Sequence, residues 1–257
     1  MTPDQILFED NHLLVVNKPA QLATMGAESG PTLHSMACEY LKKKYQKPGN
    51  VYLGVVSRLD AMTTGVIVLA RTSKAAARLN QQFAKKDQQS ADKIYLALVA
   101  GELSEGSTGQ WKDHVYKDDI AHRMRTTDTP NSSSKEADLS WICLHSQSEW
   151  SLVAIKLNTG RKHQIRLQFS ARDCPVLGDR KYDSNVSFKK GIALHSWRLS
   201  ITHPVTKESM WFDAPPPKTW SPYLQQVPVD RRPSREKALL AWINRGLQSS
   251  VSSGDSF

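Results

Sequence analysis

Three short stretches of this chain place reactive side chains where a rigid backbone can hold them for chemistry. The first is Ser57-Arg58-Leu59-Asp60-Ala61-Met62-Thr63-Thr64-Gly65, lying between two apolar, β-rich runs. A carboxylate on a loop held by strands suits nucleophilic or acid–base work, which makes Asp60 a candidate. A turn-forming aspartate or a surface ion pair uses the same residue type. The second is Lys93-Ile94-Tyr95-Leu96-Ala97. Strand alternation turns Tyr95 away from Ile94, Leu96 and Leu98, so its phenol can stack on a base, handle a proton, or simply pack. The third runs Asn158-Thr159-Gly160-Arg161-Lys162-His163-Gln164-Ile165-Arg166 and continues into Cys174-Pro175-Val176-Leu177-Gly178-Asp179. On a helix, His163 and Arg166 share one face while Ile165 and Phe169 can face the core, giving a polar, cationic rim over a packed base.

Charge gives these stretches a direction. The 257 residues carry 34 Lys/Arg against 25 Asp/Glu, a formal net of +9. Such a balance favours polyanionic partners through long-range attraction, although it also serves solubility. From Lys156 to Lys190 there are nine Lys/Arg (156, 161, 162, 166, 172, 180, 181, 189, 190) and three Asp (173, 179, 183), a local excess of six. A phosphate-contacting surface requires this, and a solvated basic face would share it. Cys38, Cys143 and Cys174 are widely spaced with no CxxC pair, which suggests neither a disulfide framework nor a zinc site. The N-terminus MTPDQILFEDNHLL lacks the basic head and apolar run of a signal peptide, and no apolar stretch approaches the roughly 20 residues that span a bilayer. A cytoplasmic protein is expected.

The elements that must position the three stretches follow from periodicity and breakers. QILFEDNHLLVV (5–16) predicts a hairpin leading into Asn17-Lys18-Pro19, and Leu33 to Tyr45 predicts a helix stopped by Pro48-Gly49. VYLGVV (51–56) and VIVLA (66–70) read as strands around the Asp60 loop, followed by an amphipathic helix after Ser73, its expected N-cap. Lys93 to Val99 alternates as a half-buried strand, and the polar residues 104–136 read as an excursion between strands. DLSWICLH (138–145) and WSLVAIKL (150–157) are strand candidates leading to a short helix near 163–172. Pro233-Ser234 can start a helix through Leu247, and SSVSSGDSF has the composition of a disordered tail. The expected architecture is α+β, dominated by strands, with residues 1–230 as one domain and 231–257 as a terminal helix and tail.

Taken together and in this order, these segments resemble the RluA family of RNA pseudouridine synthases over roughly residues 6 to 215. The family's V-V-N-K-P-like run is Val15 to Pro19 here, and its H-R-L-D-x-x-T-S-G loop is SRLDAMTTG. K-x-Y-x-A is Lys93 to Ala97, T-G-R-x-H-Q-I-R is 159–166, and P-(I/V)-L-G-D is 175–179. The late L-H-A and H-P-x-T pair is Leu194-His195-Ser196 and His203-Pro204-Val205-Thr206. Ser57 stands where the family has histidine, Thr64 where it has serine, and Ser196 where it has alanine.

The resemblance implies a central, mostly antiparallel sheet with an RNA-binding cleft, and a reaction in which uracil is detached, turned and rejoined through C5 instead of N1. It assigns Asp60 as the essential aspartate, Tyr95 as the active-site tyrosine packing against the base, and Arg166 as the arginine pairing with the aspartate. It marks Arg58, Leu59, Thr63, Gly65, Arg161, His163, Gln164 and Leu194 as substrate-contact candidates, with Arg58 able to fill the space of a flipped base. The isomerisation is redox-neutral, so the lack of a P-loop, a GxGxxG fingerprint and metal-ligand clusters is expected: no cofactor and no metal. The expected partner is tRNA or rRNA, with no membrane, no required protein partner and a monomeric state. No S4-type RNA-binding domain is expected before residue 6, so target choice is expected to come from the catalytic domain, including 156–190 and 104–136. Two other functions use parts of the same pattern. A non-catalytic RNA-binding protein would keep the basic surface without needing Asp60, Tyr95 and Arg166 together. A nucleoside hydrolase would not need the basic region, since a nucleoside carries no phosphate chain.

Overall fold

The computed structural model describes residues 1–27, 29–84, 91–229 and 232, and the expected helix from 233 and the tail lie outside them. In chain order the elements are β1 (Ile6–Glu9), β2 (Leu13–Lys18), α1 (Leu33–Lys44), β3 (Gly54–Val55), β4 (Thr64–Ala70), α2 (Ser73–Ala84) and β5 (Asp92–Ala100). Then come β6 (Thr108–Asp118), β7 (Arg123–Thr127), β8 (Lys135–Ser146), β9 (Trp150–Leu157), α3 (Gln164–Ser170), β10 (Leu194–Thr202), β11 (Ser209–Asp213) and α4 (Ser221–Leu224). The architecture is α+β, as expected. The chain forms two compact units, one from Met1–Ile94 with Lys190–Pro217, the other from Tyr95–Lys189 with the described residues from Lys218 onward.

In the first unit β1, β2, β4 and β10 are neighbours in that order, with β11 on β10 and β3 on β4. All pairs are antiparallel except β4 with β10. The expected hairpin forms because Asp10 Oδ1 accepts the N–H groups of His12 (2.8 Å) and Leu13 (2.6 Å), closing the turn between β1 and β2. β2 and β4 are apolar without alternation because both faces are covered, and Leu13, Val15, Val66, Val68 and Ala70 share a core with Ala75, Ala76 and Leu79 of α2. Each such valine or leucine contributes about 1.5–3 kcal/mol by leaving water.

Three expectations for this unit are corrected. The run 51–56 gives only the two-residue β3, which pairs Gly54 with Ala70 and Val55 with Leu69 before the chain leaves the sheet. β4 begins at Thr64, inside the stretch read as loop, because His195 and Ser196 of β10 pair with Thr64 and Gly65 there. α2 is capped by Thr72, whose hydroxyl accepts the Ala75 N–H at 3.2 Å, and Ser73 is already helical.

In the second unit the strand order is β5, β9, β8, β6, β7, and the pairs β9–β8, β8–β6 and β6–β7 are antiparallel. The polar segment 104–136 is therefore largely regular. Its strands alternate between exposed residues such as Gln110, Lys112 and His114 and inward ones such as Trp111 and Val115, a pattern diluted by Asp113 and Gly109. β5 is buried on both faces rather than half-buried, which explains why Ile94 to Val99 reads as a nearly continuous apolar run. α3 rests on the β6–β8 strands. Its Gln168 Nε2 donates to Asp113 Oδ2 at 2.6 Å, Arg172 forms a two-point pair with Asp113, and Phe169 sits 4.6 Å from Trp111, centroid to centroid.

Gly65 has φ +113, and a Cβ there would lie 2.6 Å from the Ser196 nitrogen and closer still to its carbonyl oxygen. Both strands would have to part to admit a methyl group. Gly65→Ala is expected to destabilise the protein by about 3 kcal/mol or more, read as a lower urea midpoint with unchanged slope.

Candidate functional site

The Asp60 loop belongs to the first unit and is gripped through its backbone. The Thr24 hydroxyl, itself buried, accepts the Leu59 N–H at 3.2 Å and donates to the Leu59 carbonyl at 2.8 Å. Leu22 N–H donates to the Ala61 carbonyl at 3.2 Å, and Thr63 N–H closes a turn onto the Asp60 carbonyl at 3.1 Å. Gly191, with φ +102, lets the chain pass so close that a Cβ would lie 2.8 Å from the Met62 carbonyl oxygen. Asp60 is thus half-buried on a backbone whose neighbours on both sides are pinned.

The strongest grip comes from Lys18, whose side chain has no solvent exposure. Its Nζ donates to the carbonyls of Pro19 (2.9 Å), Leu22 (2.8 Å) and Ala61 (3.2 Å). Three acceptors match the three N–H groups of an ammonium. Burial pushes the Lys18 ammonium down to about 7, opposed by the negative charge of Asp60. Sequence reasoning placed Lys18 only at the end of the expected hairpin and in a resemblance motif, with no role. A lysine two residues past the apolar run Leu13 to Val16, at the end of β2, was the available signal, since such a residue either snorkels to solvent or is held by acceptors.

The remaining candidates of this unit sort by what they touch. Arg58 is exposed, Leu59 is buried, and Leu194 is buried at the start of β10. Gly65 is required by strand packing against Ser196. Thr63 is buried, and its hydroxyl has no hydrogen-bond partner among the described residues.

Tyr95 and Arg166 belong to the second unit. Tyr95 is buried on β5, with 8% of its surface exposed. Arg166 does not line an exposed rim. Gln164 to Phe169 are all buried, and Arg166 forms a two-point pair with Asp179, Nε to Oδ2 at 2.6 Å and Nη2 to Oδ1 at 2.8 Å. Its guanidinium lies over the Tyr182 ring, 4.9 Å from the centroid. His163 is not on the helix either: it is the N-cap in the left-handed region, φ 54, with Nδ1 2.8 Å from the Tyr182 hydroxyl. That hydroxyl also accepts the Met124 N–H at 3.1 Å. His163 and Arg166 therefore meet on Tyr182, a residue sequence reasoning did not single out. Asp179 was legible only as the end of the PVLGD motif.

Gln164 is occupied in shaping the turn before α3. Its Oε1 accepts the Thr159 hydroxyl (2.8 Å) and the Arg161 N–H (3.0 Å), and its Nε2 donates to the Asp138 carbonyl (3.0 Å). Arg161 Nε donates to the Glu136 carbonyl at 2.7 Å. The described residues contain no His/Cys/Asp/Glu group that could hold a metal ion, and no described helix is long and apolar enough to cross a membrane.

Comparison with known proteins gives one consistent result. Residues 12–171 match the family model described as RNA pseudouridylate synthase. An uncharacterized RNA pseudouridine synthase, YhcT, of Bacillus subtilis is 33% identical over 213 residues, 82% of this chain and 68% of that protein. The ribosomal large subunit pseudouridine synthase D of Nitrosomonas europaea is 32% identical over 241 residues, 88% of this chain and 65% of that protein. The match thus spans about two thirds of the length of these relatives. Among solved structures, human RNA Pseudouridylate Synthase Domain Containing 4 superposes with a TM-score of 0.70 at 23% identity, covering 86% of this chain and 92% of that one, which establishes the fold.

Two outcomes follow from the buried charges. Below pH 7 both folded and unfolded chains hold the Lys18 proton and folding bears the cost of burying it. Between about 7 and the ordinary 10.5 the folded chain has released the proton while the unfolded chain keeps it, so stability rises with pH. Lys18→Met is expected to flatten that rise, seen by comparing the melting temperatures of both proteins across the window. Asp179→Ala removes both acceptors of the buried two-point pair with Arg166 and is expected to destabilise by about 3–5 kcal/mol, measured by urea denaturation.

Proposed function

Because the chain belongs to the RNA pseudouridylate synthase family, we propose that it isomerises uridine to pseudouridine in ribosomal or transfer RNA with Asp60 as the essential carboxylate. The observation that carries this is the Asp60 loop itself, which lies within the matched residues and is held on Lys18, Thr24 and Leu22. A group that must meet one atom of a flipped nucleotide needs such a backbone, because a misplacement of about 1 Å can cost 100-fold in rate. The C1′–N1 bond breaks, the uracil turns, the C1′–C5 bond forms, the C5 hydrogen leaves as a proton and N1 takes one up, so that the product is an isomer of uridine. Both attack at C1′ and proton removal from the sugar use Asp60 in its ionised form.

Tyr95 packs against the base and is the candidate acceptor for the C5 proton, Arg166 supplies positive charge, and Arg58 fills the space of the flipped base. The exposed cations of 156–190, among them Lys162, Arg180, Lys181 and Lys189, contact phosphates and offset the few kcal/mol of unstacking. The protein acts as a monomer in the cytoplasm and needs no cofactor.

The test is tritium release from C5-labelled uridine in rRNA and tRNA transcripts. Wild type is expected to release tritium, while Asp60→Ala lowers the rate by about 1000-fold or more, as loss of an essential nucleophile or base does, with RNA affinity changed less than about threefold. Intact binding with no release from any RNA by wild type would instead mark a non-catalytic RNA-binding protein.

A further inference from the structure

Besides Lys18, the first unit contains another ionisable group without solvent exposure, and it lies at the other end of the Asp60 loop. His195 has no solvent exposure. Its Nε2 lies 2.9 Å from the Ala214 carbonyl, which can only accept, so that nitrogen carries the proton. Its Nδ1 is therefore an acceptor, and the Thr64 hydroxyl donates to it at 2.7 Å. The polar chain runs in one direction, from Thr64 through the imidazole to Ala214. Burial pushes the His195 imidazole down to about 4, opposed by the bond to Ala214, so the neutral ring that this chain requires prevails at neutral pH.

Three features tie the imidazole to the loop. Thr64 directly follows Thr63, whose N–H closes the turn on the Asp60 carbonyl. Thr64 pairs with His195, and Gly65 with Ser196, in the parallel contact of β4 and β10. Ala214, in turn, is fixed by donating its N–H to the Trp197 carbonyl at 2.9 Å. The Ser196 hydroxyl donates to the Val66 carbonyl at 3.0 Å, one step further into the strand and away from Asp60.

We propose that His195 is a positioning residue for Asp60: through the Thr64 hydroxyl it fixes where the loop ends and β4 begins, and so sets the height of the carboxylate. Lys18 holds the loop at Ala61, and His195 holds it at Thr64. This rests on the assignment of Asp60 as the essential carboxylate, and predicts that removing one hydroxyl at Thr64 costs turnover rather than binding.

The experiment compares Thr64→Val, Thr64→Ser and Ser196→Ala. Valine keeps the β-branched shape of threonine and loses only the donor. Thr64→Val is expected to lower kcat for tritium release about tenfold or more with KM changed less than about twofold, because a small displacement acts on the reacting geometry. Amide hydrogen exchange at residues 60–63 should quicken in the same protein. Thr64→Ser should recover kcat to within about threefold of wild type, since the donor returns. Ser196→Ala should lower the melting temperature and leave kcat unchanged. Wild-type kcat and exchange in Thr64→Val would overturn the proposal, as would a loss of kcat in Ser196→Ala equal to that in Thr64→Val. If wild type releases no tritium from any RNA, the functional assignment fails, and the exchange comparison alone decides whether His195 holds the loop.

Discussion

A lysine without solvent exposure must give its N–H groups to acceptors, and Lys18 gives them to the carbonyls of Pro19, Leu22 and Ala61. Those three carbonyls belong to two segments, the turn after β2 and the loop bearing Asp60. One buried ammonium therefore joins them, and the negative charge of Asp60 favours its protonated form. The arrangement is reciprocal. Satisfying the lysine requires the loop to present Ala61 inward, and a loop so anchored has little freedom left for the residue before it.

The rest of the first unit organises around this demand. β2 delivers Lys18 from a strand whose first four residues are apolar and buried, so the chain cannot slide to expose it without exposing Leu13 to Val16 as well. Thr24 takes both polar groups of the Leu59 backbone, and Gly191 allows a second segment to pass against Met62. At the far end, His195 supplies a neutral acceptor for Thr64. Polar backbone that would otherwise be costly to bury is thus satisfied by three side chains of different chemistry: a cation, a hydroxyl and an imidazole.

The second unit solves a similar problem with a different pair. Arg166 and Asp179 are buried together, with 7% and 1% of their side chains exposed, and the planar guanidinium is held both by the carboxylate fork and by the face of Tyr182. Geometry of this kind restricts rotation about the arginine stem more than a single-point contact would. Tyr182 is itself fixed by the Met124 N–H and His163, so the short helix α3 and the loop after it form one connected polar core. The basic character of 156–190 is correspondingly divided. Arg166 pairs with Asp179 and Arg172 with Asp113, while Lys162, Arg180, Lys181 and Lys189 remain on the surface.

What the sequence determined by itself was local or depended on order along the chain. The β1–β2 hairpin, α1, β9 and α3 follow from periodicity and breakers, and the succession of motifs identified the family, on which the proposal of Asp60, Tyr95 and Arg166 as site residues rests. Strands hidden on both faces were harder: β5 read as half-buried, and the regular strands of 104–136 read as an excursion because polar residues occupy their exposed face. The partners that hold the functional side chains were not legible at all. Lys18 meets Ala61 across 43 residues and Thr64 meets His195 across 131, while Asp179 reads as an ordinary loop carboxylate until Arg166 is seen beside it. Only the tertiary structure decides these contacts, because a buried polar group is satisfied by whatever acceptor the packed chain brings within 3 Å, and no spacing in the sequence encodes that distance.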